Sequence, residues 1–292
     1  MLGDLDLKRI AVELGKLDFP LEIVLHPGPA GTALAEEFQE AVGQIEAQAS
    51  DKLLVKTGDG KSLPAVPGIS LSCRGKSNIH YLALPEGPEA LPFIEACTSL
   101  PAGAAGRDKP WARQLSGLSR PAEIYVFMAT TCPNCPHAVR AALELSRVSW
   151  QVTTFVIDAQ RHAELAAEFN IKSVPTTIID GGYSFVGIEP AERLVDLLLA
   201  RDDDDFTARI FETLIETGQL DRAARRVLEG QTRGFLESWK NSNTTARMGL
   251  MLVVEQVLDA QLDPGAPKLQ HPVHRLPGDG VRPGLQRHAN DA

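Results

Sequence analysis

Cys132 and Cys135 stand two residues apart in the stretch ATTCPNCPHAV. Cysteines at that spacing can hold a metal, close a structural bridge, or carry electrons as a dithiol and disulfide. A structural zinc needs four nitrogen or sulfur ligands, commonly from paired clusters. This chain has a single such pair. Cys73 and Cys97 are isolated and distant, and His137 would add only one ligand. No metal site is therefore expected. A structural disulfide is rare in a reducing cytoplasm, where a CxxC more often does redox or metal chemistry. The redox reading requires a thiolate as the attacking sulfur. An apolar strand over residues 125–128, followed by a helix, would set Cys132 at the helix N-terminus. The macrodipole and free amides stabilise an anion there, and such thiols fall into the range ~3.5–7.5. Cys132 is then the nucleophile. Cys135, one turn inside and more buried, is the resolving thiol. Pro133 fits the first helical position, where a missing N–H costs nothing. Pro136 is tolerable only in a first turn.

The pair needs a strand, a helix start and a facing groove to position it. Apolar runs closed by Pro and Gly mark strands in LEIVLHPG and KLLVKTGD. Two more lie in AVPGISLSCRGKSNIHYLAL, around a polar turn containing Gly. Helical spacing marks TALAEEFQEAVGQIEAQAS and GPEALPFIEACTSL. The order then recurs with EIYVFMAT, PHAVRAALELSRV, WQVTTFVID, HAELAAEFN, the hairpin VPTTIIDGGYSFVG and AERLVDLLLA. Val-Pro precedes an apolar strand both in AVPGISL and in SVPTTII, as an internal duplication would produce. Beyond residue 202 the pattern is helical only: FTARIFETLIETG, DRAARRVLEGQTRGFLESW and ARMGLMLVVEQVLDA. The expected domains are a unit without CxxC at 1–105, a unit with CPNC at 106–203, a small all-α segment at 204–262 that could be HEAT-like, and a disordered Pro/Gly/His/Arg tail at 263–292.

SVPTTII places a proline just before a strand, 40 residues after Cys135. With TTCPNCPHAV, IKSVPTTIIDGG and GPEALPFIEA, it makes the chain resemble the thioredoxin superfamily over roughly residues 10–200. The fold class is then α/β, two tandem thioredoxin-like units followed by helices. Within the superfamily the chain is similar to the N-terminal domain of the alkyl hydroperoxide reductase flavoprotein subunit and to glutaredoxin-like protein disulfide oxidoreductases. The resemblance implies a cis Val174–Pro175 bond facing the CxxC across a substrate groove. The groove residues would be Pro133, Asn134, Val174, Pro175 and Thr176, with the Val174 backbone pairing an extended substrate.

There are departures. No GxGxxG dinucleotide fingerprint is present, so no flavin or nicotinamide cofactor is expected. The first unit carries no CxxC after its first strand. Where thioredoxins often have an Asp behind the disulfide and a Trp before the first cysteine, this chain has Val126 and Thr131. Another acid, or water, must then take the proton of Cys135.

The remaining features bound the function. A net charge of −9 argues against nucleic acid as a partner. No run of 18 apolar residues suggests a membrane span, and the N-terminus reads as a short amphipathic helix rather than a signal peptide. A cytoplasmic thiol–disulfide oxidoreductase is expected, with a protein or small-molecule disulfide as substrate and a separate reductase as electron donor. The alternative is a thioredoxin-fold adaptor that uses its helical segment to hold a partner. Cys73 and Cys97 read as buried small apolar residues, His137 as a surface helix residue, Asp158 as a cap, and the aspartates at 202–205 as a solvated linker that helps start a helix.

Overall fold

The computed structural model describes residues 2–17, 19–48, 53–73, 75–100 and 109–262. The expected tail at 263–292 lies outside the described residues. The first half runs α1 (Asp4–Leu14), β1 (Leu21–His26), α2 (Ala33–Gln48), β2 (Leu53–Thr57), β3 (Gly68–Cys73) and β4 (Lys76–Leu82). A 3-10 turn, Gly87–Glu89, then leads directly into α3 (Ala90–Ser99). The second half runs α4 (Ala112–Ser116), β5 (Ala122–Met128), α5 (Cys135–Val148), β6 (Val152–Asp158), α6 (Ala163–Glu168), β7 (Thr176–Ile179), β8 (Tyr183–Val186) and α7 (Ala191–Ala200). Helices α8 (Asp204–Glu216), α9 (Leu220–Leu228), α10 (Thr232–Asn241) and α11 (Thr244–Leu262) follow.

All eight strands form one mixed sheet in the order β2-β1-β3-β4-β6-β5-β7-β8. Strand β1 pairs in parallel with β2 and antiparallel with β3, which pairs antiparallel with β4. Strand β5 pairs in parallel with β6 and antiparallel with β7, which pairs antiparallel with β8. The halves meet where β4 pairs in parallel with β6, Ile79 opposite Thr154. A buried Asn78 side chain tightens that junction by donating to the carbonyls of Ser146 and Val152 at 2.7 and 2.8 Å.

Strand β5 is buried over nearly its whole length, as a near-continuous apolar run requires. Its alternate side chains enter opposite cores. Ile124, Val126 and Met128 join the layer under α3, α5 and α7, while Tyr125 and Phe127 pack with Phe155, Ile157 and Leu165. Helix α5 supplies Ala138, Val139, Ala142 and Leu145 to the first layer. The β7–β8 turn is centred on Asp180 and Gly181, at φ 47° and 66°, rather than on the Gly-Gly pair. Positive φ at both central residues gives a turn whose twist matches its strands.

The helical segment departs from expectation in two ways. The single helix read in DRAARRVLEGQTRGFLESW is two, α9 and α10, broken where Gly230 takes φ 95°. Asp202 is not a free linker residue, since it accepts from Ser119 and from Arg120. The segment docks on the β7–β8 hairpin: Phe206 stacks on Tyr183, and Arg226 donates to the Asp180 carbonyl. Asp203 precedes α8, with Asp204 and Asp205 in its first turn, where carboxylates are favoured. Outside this segment, the short α4 is an addition to the expected elements, because five residues carry too little periodicity to read. Among the described residues no helix is long and apolar enough to cross a membrane.

Candidate functional site: a disulfide at the start of α5

Cys132 and Cys135 form a disulfide with their Cα atoms 5.5 Å apart. The spacing of CPNCP predicts Pro133 at the first helical position, but the helix opens at Cys135. Asn134 occupies the cap position, and Pro136 is the proline in the first turn. Residues 132–134 form a tight approach instead, in which the Cys132 N–H donates to the Ala129 carbonyl at 2.9 Å. The reason is local: Pro136 removes only an N–H that a first turn leaves unpaired anyway. No side chain caps this helix start, which leaves its positive end to act on the sulfur just beyond it.

The two sulfurs differ in exposure. Cys135 is fully buried, whereas Cys132 is half-buried beside exposed Pro133 and Asn134. Facing them is the turn into β7. The Val174–Pro175 bond is cis, and Cys132 Sγ lies 3.9 Å from the Val174 carbonyl oxygen. Thr176 holds this turn by donating to the Ser173 carbonyl at 2.6 Å, and β7 fixes it to β5 with Thr176 opposite Phe127. The fold thus brings Cys132, Cys135, Val174, Pro175 and Thr176 together across the β5–β7 pairing. Cys73 and Cys97 are buried elsewhere and not disulfide-bonded, and burial pushes the Cys97 thiol up. His137 is exposed on α5.

The sequence did not reveal a buried carboxylate that the fold sets against α5, the helix that carries Cys135. Glu89 ends the 3-10 turn that packs against α5, and it is 1% exposed. Among the described residues neither of its carboxylate oxygens has a hydrogen-bond partner. Burial raises its pKa to about 7; Arg140 of α5 opposes the rise and Asp158 adds to it. Asp158 is itself buried, at the end of β6. It does cap, accepting the N–H groups of Gln160 and Arg161 at 2.9 and 3.2 Å, but it also pairs with the Arg161 guanidinium. The stretch GPEALPFIEA carries Glu89 in plain view. A lone Glu before an apolar helix reads as a helix-start residue, and nothing local shows that another half of the molecule buries it.

The chain is similar to proteins of known sequence and of known structure. A thioredoxin domain model matches residues 122–200. Thioredoxin from Methanocaldococcus jannaschii is 31% identical over 80 residues, 27% of this chain and 94% of that protein. The chain belongs to the thioredoxin superfamily. The F component of alkyl hydroperoxide reductase from Pseudomonas aeruginosa is 26% identical over 224 residues, 74% of this chain. The match spans only 42% of that protein's length. Among solved structures, the corresponding alkyl hydroperoxide reductase component from Enterococcus faecalis aligns with a TM-score of 0.59 at 20% identity, covering 68% of this chain and 99% of that one. A protein disulfide oxidoreductase from Aeropyrum pernix aligns with a TM-score of 0.59 at 19% identity, covering 68% and 93%. These structural likenesses concern the fold. As a thioredoxin-superfamily member whose CxxC closes a disulfide, the protein is a thiol–disulfide oxidoreductase.

Proposed function

We propose that Cys132 is the attacking thiolate and Cys135 the resolving thiol in two-electron exchange with a disulfide held in the groove beside Val174, Pro175 and Thr176. The observation that carries this reading is the half-buried Cys132 sulfur in contact with the Val174 carbonyl, while Cys135 is buried behind it. Cys132 S⁻ attacks one substrate sulfur, forming a mixed disulfide and releasing the other as a thiolate. Cys135 then gives its proton to Glu89. Its sulfur attacks Cys132 Sγ, closing the Cys132–Cys135 bridge and expelling the second substrate thiolate, which takes up a proton. Two electrons pass to the substrate, and a separate reductase returns the protein to the dithiol. Pro133 and Asn134, exposed beside Cys132, border the groove.

We further read the chain as two tandem thioredoxin-like units, 1–105 and 106–203. The repeated pairing of a first strand with one parallel and one antiparallel neighbour supports this. The helices of 204–262 are an accessory layer of HEAT-like pairs, supported by the packing of α8 on α10 and of α9 on α11. A reducing cytoplasm fits two buried cysteines that form no disulfide. The substrate is a protein or small-molecule disulfide. The adaptor alternative has no use for a disulfide at a helix start, so the redox reading is preferred. Cys132→Ser should abolish insulin reduction, whereas Cys135→Ser should accumulate mixed disulfides visible on non-reducing gels. Trapping by Cys132 in place of Cys135 would reverse the roles, and turnover by both variants would overturn the reading.

A further inference from the structure

Arg161 lies three residues beyond the end of β6, and its side chain is 22% exposed. Its guanidinium has four partners. Nε donates to Glu37 Oε2 of α2 at 3.2 Å, and Nη2 donates to Glu86 Oε1 at 2.7 Å. Nη1 donates to Asp158 Oδ2 at 2.8 Å and to Thr130 Oγ1 at 3.2 Å. The Thr130 hydroxyl in turn donates to Asp158 Oδ2 at 3.2 Å. Burial alone would weaken the cation, but hydrogen bonds and charge from Asp158, Glu86 and Glu37 more than offset it and hold the proton more firmly than usual.

Two of these partners sit on the segments that carry the reacting groups. Thr130 is two residues before Cys132, and Glu86 is three residues before Glu89. A Cβ on Gly87 would lie 4.0 Å from Thr130 Cγ2, so the two segments run side by side. Gly87 is anchored from its other side by its N–H, which donates to Asp6 of α1 at 2.8 Å.

We propose that Arg161 is a positioning residue that fastens the Cys132 loop and the Glu89 turn to one cation, setting both the geometry and the charge balance for proton transfer from Cys135 to Glu89. The inference rests on Glu89 being the proton acceptor. The ionisable groups facing Glu89 are Arg140 from α5, Asp158 from the end of β6 and the buried phenol of Tyr81 from β4. His162, beside Asp158 and Arg161, is lowered to about 4 by burial and so stays neutral in the working range. Asp158 is then the anion that opposes ionisation of Glu89, and Arg161 is the cation that offsets Asp158. Without Arg161 the uncompensated Asp158 raises the proton affinity of Glu89, and the loop and the turn lose their common tie. An arginine suits this role because its planar fork reaches several oxygens at once, which a lysine cannot do.

The test uses the full reduced chain and an aromatic disulfide that liberates a coloured thiolate. The first release reports attack by Cys132, and the second reports ring closure by Cys135. In the wild type the second release should be half-maximal near pH 7, the value to which Glu89 is raised. Arg161→Met should move that midpoint up by about one unit and slow the second release at pH 7 by about tenfold, with little change in the first. Arg161→Lys should restore the midpoint but not the full rate. Thr130→Val, which removes the loop's hydrogen bonds to Arg161 and Asp158 but neither charge, should slow the second release without moving the midpoint. If Arg161→Met slows both releases alike or leaves the midpoint in place, while Glu89→Gln still abolishes it, the role of Arg161 is overturned and that of Glu89 stands. If Glu89→Gln leaves the midpoint unmoved, both fall. Should Arg161→Met not fold, a wild-type second release in both Arg161→Lys and Thr130→Val would overturn the proposal.

Discussion

At the scale of single residues, Glu89 combines a cost to stability with the proposed role of proton acceptor. Its carboxyl rises from 4.5 to about 7 on folding. Between those values the folded chain keeps a proton that the unfolded chain has released, so stability falls as pH rises through the window and is level above it. Glu89→Gln should remove that decline, a gain on the order of 2–3 kcal/mol at pH 8 relative to pH 5. Urea melts at the two pH values would check it, and an undiminished decline in the variant would assign the effect elsewhere. The same substitution should slow ring closure by Cys135. The thiols can be ranked in the same way. Iodoacetamide at neutral pH should label reduced Cys132 first, because it alone of the four sulfurs is partly exposed. Cys73 and Cys97 should react only on unfolding, and early labelling of Cys135 would invert the proposed roles.

At the scale of elements, α9 holds the β7–β8 turn. Arg222 donates to the Gly181 carbonyl at 2.5 Å and lies 3.9 Å over the Phe169 ring, with its pKa lowered to about 10 by burial. Arg120 and Arg201 both pair with the Asp180 carboxylate, at 2.8 and 3.4 Å. A side chain at Gly181 would sit at φ 66°, 3.1 Å from Arg222 Nη2. Gly181→Ala should therefore cost about 1–2 kcal/mol. The turn is at the opposite end of β7 from Pro175, so disulfide reduction should persist at temperatures below the melt. A wild-type melting temperature would mean that α9 does not clamp the turn.

At the scale of the whole molecule, the N-terminal half packs directly on the elements that carry the cysteine pair. It supplies Glu89 and Glu86, covers α5 with α3, and continues the sheet through β4. The ion pair of Arg140 with Glu95, at 2.9 Å, adds a further tie across the junction. A fragment of residues 106–262 would expose one edge of β6 and one face of α5, both aggregation hazards. We expect it to melt lower than the full chain and to retain attack by Cys132. Its second release should lack the midpoint near pH 7 that Glu89 confers. A fragment with the full two-step pH profile would show that the acid lies within the second half.

Much of this is legible along the chain because it depends on local order. The apolar run of β5 and the prolines of CPNCP mark a cysteine pair at a helix start through spacing and backbone restriction, and the Val-Pro before β7 marks a strand that only the family resemblance sets facing it. Even there the boundary shifts: Pro136, not Pro133, enters the first turn, since two nearby prolines suit nearly the same position. The break at Gly230 is hidden because both flanking helices carry the same apolar spacing. What no local pattern can show is which polar residues lose their water. Glu89 and Asp158 are separated by a large stretch of sequence, and each alone reads as a helix-start residue. The parallel pairing of β4 with β6 and the packing of α3 on α5 bring the two halves together, so that the burial and charge around Glu89 come from residues far apart in the chain.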